Sequence, residues 1–201
     1  MTETLTIAEL QTWFGDTESI ISDVSASVRN LKRIEAAANR KKRPATEDAF
    51  GTYLSKHIRF TLVVQLCKLF VNKDTERRNF RKLFNRLKYD KYNNRLKQRL
   101  KENKGKAGLA TQKAAVIRMV NDLDQELEKR GDLIHRLRTL RDRLYAHSDP
   151  GQVLPEVTVD ELDDLVQLAV TIYNETSGRI FGHLFVPRKG EDWENDPLLK
   201  G

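Results

Sequence analysis

A chain of 201 residues is long enough for one well-filled core, and 32% charged against 39% apolar residues suits amphipathic helices better than buried parallel strands. Five prolines and ten glycines are few for this length, which favours an all-α fold. The net charge of +7 fits a polyanionic partner, although ordinary soluble proteins also carry such a balance.

The single cysteine, Cys67, cannot form an intramolecular disulfide and is expected to be a small core residue of an intracellular protein. No stretch approaches the roughly 20 apolar residues that cross a bilayer, and no export signal is visible, so the expected location is cytoplasmic with no membrane partner.

Thr6-Ile7-Ala8-Glu9 has the form of a capping box, flanked by Leu5 and Leu10 as a hydrophobic staple. Leu10, Trp13, Phe14, Ile20, Ile21, Val24, Val28, Leu31 and Ile34 then recur at spacings of three and four, which predicts an amphipathic helix. Gly15-Asp16 is a possible interruption, and Pro44 ends the pattern. Arg40–Arg43 is expected to be a solvated loop. Thr46-Glu47-Asp48 supplies a cap and two acids for the next helix. From Phe50 to Phe70 that helix is the most apolar in the chain and is expected at the centre of the bundle. His57 lies within it without a second metal-type residue one turn away.

Between Lys73 and Lys106 the chain is densely basic, with Arg77, Arg78, Arg81, Lys82, Lys88 and Arg95 among many cations met by few acids nearby in sequence. Phe80, Leu83, Phe84 and Leu87 keep a helical apolar stripe. The pattern predicts a helix or helix pair whose outer face is either a solvated charged surface or a phosphate-contacting one. Thr111–His147 is a long helical stretch that Gly131 breaks or kinks, with Asp132 able to cap the second part. A second capping box, Thr158-Val159-Asp160-Glu161, opens a last helix that ends near Gly182. The resulting organisation is an all-α bundle of about five helices over 1–186, with a basic helical insertion at about 73–108 and a weakly ordered tail over 187–201.

Chemistry is scarce along this chain. There is no glycine-rich phosphate loop, zinc spacing, nucleophile elbow or compact two-metal carboxylate cluster, so neither a cofactor nor a metal is expected. The acids Asp160, Glu161, Asp163 and Asp164 are explained as a favourable helix start. What remains is Arg141, Asp142, Arg143, Tyr145 and His147. Cleaving RNA without a metal needs an acid or base near neutral pH for the 2′-hydroxyl or the leaving oxygen, which suits histidine. It also needs fixed positive charge on the phosphoryl oxygens, which suits arginine. On an ideal helix Arg143 and His147 share a face, while Arg141 and His147 point roughly 120° apart.

The run Arg141-Asp142-Arg143-Leu144-Tyr145-Ala146-His147 resembles the Arg-x(4–6)-His motif of HEPN domains, in which a polar residue follows the arginine. With its apolar central helix and long charged one, the chain is most similar to the AbiU-type branch associated with phage abortive infection. The resemblance spans about Phe50–Ile180 in architecture and is specific over about ten residues. It implies a bundle that forms a homodimer with a shared cleft and acts as a metal-independent endoribonuclease or toxin. It also implies that Arg141 stabilises the phosphate, that His147 serves as acid/base or positions the 2′-hydroxyl, and that Asp142 and Tyr145 orient them. Arg143 and the basic residues Arg77, Arg78, Arg81, Lys82, Lys88 and Arg95 would contact RNA. HEPN toxins silenced by nucleotidyl transfer carry a tyrosine two residues after the histidine; here that position is Asp149, so the acceptor for such control is missing.

Two other readings stay open on the residues alone. One is a catalytically inactive helical module that binds RNA or a protein partner such as an antitoxin, with the arginines paired to Asp142 or Asp149 and His147 capping a helix. The other is a DNA-binding helical regulator, for which no helix–turn–helix signal stands out.

Overall fold

The computed structural model describes residues 6–40, 49–71, 79–89, 113–146 and 155–186, and among these it contains six helices and no strand. They are α1 (Ile7–Arg40), α2 (Ala49–Phe70), α3 (Phe80–Tyr89), α4 (Lys113–Lys129), α5 (Gly131–Ala146) and α6 (Val159–Phe181). The all-α expectation holds. Gly131 separates α4 from α5 as the sequence suggests.

The ends of the helices follow from local chemistry. The Thr6 hydroxyl accepts from the Glu9 amide while the Glu9 carboxylate accepts from the Thr6 amide, so α1 opens on a complete capping box. α6 opens the same way on Thr158 and Glu161. It closes at Gly182, whose φ of 70° lies in the left-handed region where only glycine is unstrained.

α1 is continuous, and Gly15 does not interrupt it. A helical glycine costs about 1 kcal/mol relative to alanine. Buried Leu10, Trp13 and Phe14 before it and Thr17, Ile21, Val24, Val28 and Leu31 after it hold the helix together across that weak point. Each fully buried leucine contributes about 1.5–3 kcal/mol by leaving water.

α1 and α6 run antiparallel. Lys32 pairs with Asp163, the Tyr173 hydroxyl donates to Glu18 at 2.6 Å, and Phe14 packs edge-on against Phe181. α2 packs against α1, α5, α6 and α3, which is the central position expected of it. The centrality belongs to its second half. Leu62, Val63, Leu66, Cys67, Leu69 and Phe70 are buried, while Phe50 and Tyr53 are 70% and 59% exposed. The apolar sequence marks this helix as central along its whole length, but apolarity does not say which turns are buried in the core. Cys67 is wholly buried, its thiol 3.7 Å from the Leu137 carbonyl, as expected of a core cysteine.

α3 lies mainly on α4, also antiparallel, with Arg81 against Glu128 and Lys88 against Asp124. α5 presents Leu133, Leu137 and Leu140 to the core. The acidic start of α6 ties the layers together. Arg130, between α4 and α5, makes a two-point contact with Asp164; Arg136 of α5 makes one with Glu161; Lys32 of α1 reaches Asp160 and Asp163. No described helix is long and apolar enough to cross a membrane.

Candidate active site

α5 carries the arginine-rich segment, and its helical phase decides what each residue can reach. Arg141 follows Leu133 and Leu137 at intervals of four, on the buried face of the helix, and is only 8% exposed. An arginine so placed must satisfy its guanidinium, because a buried unpaired charge is costly. Its Nε and Nη2 both donate to Asp142 Oδ1, at 2.9 and 2.8 Å. The other carboxylate oxygen of Asp142, Oδ2, lies 3.6 Å from Nε of Arg138, one turn earlier. One carboxylate thus faces two guanidiniums. Arg143 is exposed on the other side of α5.

Arg141 and Asp142 are therefore in direct side-chain contact. Tyr145 lies on the last turn of α5, although its side chain is not among those described. His147 follows directly on Ala146, the last helical residue, and lies outside the described residues, as do Asp149, Arg77, Arg78 and Arg95. Arg138 was missed from sequence. Its signal was available, since an arginine four residues before an aspartate on a helix face is a standard ion-pair spacing.

The described part of the basic segment looks different in three dimensions. Asn79 caps α3 by accepting from the amides of Arg81 and Lys82. Lys88 donates to Asp124 at 2.9 Å, and Arg81 Nη2 lies 2.6 Å from Glu128. Two of the cations expected to meet phosphate are thus engaged by acids of α4, a helix far away in sequence. Lys82 is half-buried on the same helix.

Elsewhere in the bundle, Arg136 and the Thr158 amide hold the Glu161 carboxyl down to about 2, far below the usual carboxylate range. Burial pushes the Tyr173 hydroxyl up, aided by its bond to Glu18. Both groups hold helices together and lie apart from the α5 site in sequence. Among the described residues no group of three or more His, Cys, Asp or Glu side chains is placed to hold a metal ion.

The chain is thus an all-α bundle with an arginine and an adjacent acid near the end of a late helix. The AbiU2 family model matches residues 26–196, most of the chain, and the chain belongs to that family of abortive-infection HEPN domains. No curated protein and no solved structure matches it.

Proposed function

We propose that the protein is a metal-independent endoribonuclease acting in phage defence, with Arg141, Asp142 and His147 as its working residues. The observation that carries this reading is the Arg141–Asp142 pair near the end of α5, six and five residues before His147 in sequence, in a chain of the AbiU2 family. In this reading Arg141 offers charge-assisted hydrogen bonds to a phosphoryl oxygen as negative charge builds there. Asp142 holds the guanidinium in place. His147 moves the proton of the 2′-hydroxyl or of the leaving oxygen near neutral pH, and Tyr145 helps orient the pair. Arg143, exposed on α5, and the basic segment around α3 would bind the RNA backbone. Two copies of the chain would form the shared cleft that the family implies, and an antitoxin or other regulatory partner would restrain it.

A second reading has its own support. An arginine that already has an acid partner is also what a purely structural pair looks like, and the protein would then be an inactive helical module binding RNA or a protein. The two readings part on one experiment. Purified protein incubated with total RNA in EDTA should cleave it; RNA that stays intact, with or without added divalent metal, would favour the inactive module.

A further inference from the structure

The charge balance along α5 changes from one end to the other. Near its start, Arg130 is met by two acids, Asp164 and Glu126, and Arg136 is met by two more, Glu161 and Asp132. Near its end the ratio is reversed, with Arg138 and Arg141 both directed at the single carboxylate of Asp142. The charges of this trio sum to +1. Its two arginines are not equivalent: the Arg141 side chain is 10% exposed, whereas that of Arg138 is 53% exposed.

We propose that Arg138 is a second phosphate-binding residue of the α5 site, positioned beside Arg141 by Asp142. The proposal rests on the ribonuclease reading above and adds to it a residue outside the Arg–His motif. Its substrate group is a backbone phosphate of single-stranded RNA, either the scissile one or its neighbour. A phosphodiester would bring negative charge to a place where two guanidiniums share one carboxylate. Arg138 is the member that such a group meets first, because Arg141 is largely enclosed. Asp142, one turn further on, draws the Arg138 guanidinium toward the C-terminal end of the helix and so toward Arg141.

The test is binding of a 2′-O-methyl oligoribonucleotide, which cannot be cleaved through the 2′-oxygen, across a salt series. Wild type, Arg138→Gln and Arg138→Lys are compared, with cleavage of the unmodified oligonucleotide by wild type run alongside. Loss of one phosphate contact should reduce the slope of log affinity against log salt by roughly 0.7 for a single strand. Arg138→Gln should show that change, Arg138→Lys should keep the wild-type slope, and thermal melting should be the same in all three because the side chain is exposed. An unchanged slope and affinity in Arg138→Gln, with wild type cleaving the unmodified RNA, would overturn this proposal alone. A wild type that neither binds nor cleaves would overturn the ribonuclease reading itself, and this proposal with it.

Discussion

Arg141 and Asp142 are consecutive on α5, yet the guanidinium of the first lies on the carboxylate of the second, with two donors within 2.9 Å of one oxygen. Neighbouring positions on a helix point about 100° apart, so such pairs do not meet through their stems. The contact forms because Arg141 lies on the same face as Leu137 and must carry its charged head away from that apolar face. Asp142 receives the head where it emerges. The pairing fixes a guanidinium at the helix end with its stem packed in the core, which is the rigidity a phosphate site needs.

Asp142→Asn should separate binding from catalysis. Removing the carboxylate makes the site more positive by one charge, so an oligoribonucleotide should bind more tightly at low salt. The two guanidiniums lose their anchor, and single-turnover cleavage should slow by about ten- to a hundredfold. Binding by filter retention and cleavage by gel measure the two effects. Weaker binding together with unchanged cleavage would show that Asp142 does not position the arginines.

Asp124 holds α3 to α4. Its carboxylate takes the Lys88 ammonium at 2.9 Å and lies 4.0 Å from Arg81. Because the Lys88 side chain is 13% exposed, Asp124→Ala leaves a mostly buried cation unpaired and should cost on the order of 1–2 kcal/mol. Amide hydrogens of α3 should exchange faster while those of α6 keep their protection relative to global unfolding. Uniform loss of protection across both helices would argue against α3 as a separately held unit.

Glu161 makes stability depend on acid. Its carboxyl is lowered from 4.5 to about 2, first by the Arg136 guanidinium and next by the Thr158 amide. A group depressed on folding contributes stability that is complete above its unfolded pKa and is lost as pH falls through the folded one. The window is therefore about 4.5 down to about 2. Urea unfolding midpoints should fall across it in wild type and fall less in Glu161→Gln. Parallel pH profiles for the two proteins would contradict the assignment.

Much of this fold is legible in the sequence, for reasons that can be named. Both capping boxes use contacts between residues three apart, so Thr6–Glu9 and Thr158–Glu161 show themselves without tertiary structure. Gly131 announces its break in the same local way. Gly15 misleads because its cost is small beside the burial of Leu10, Phe14 and Ile21 on either side. The exposure of Phe50 and Tyr53 is invisible in sequence, since an apolar turn looks the same whether or not another element covers it. The acids that meet Arg81 and Lys88 come from α4, and no local reading of the basic segment could supply them. At the site, the motif pointed to Arg141 and Asp142 and the structure brings that pair into contact. Helix geometry favours Arg143 as the partner of His147, which lies outside the described residues; Arg143 itself is exposed on another face of α5. Arg138 lies outside the Arg-x(4–6)-His pattern, and only its spacing of four from Asp142 marks it in the sequence.

The central claim is that the end of α5 cleaves RNA, and its most direct test is single-turnover cleavage of a short oligoribonucleotide in EDTA. Wild type, Arg141→Ala and His147→Ala are compared at matched helical content by circular dichroism. Wild type should cleave the RNA and leave its 2′-O-methyl counterpart intact, and each variant should lose at least about a hundredfold in rate. Wild-type cleavage rates in both variants, or cleavage of the 2′-O-methyl strand, would contradict the account.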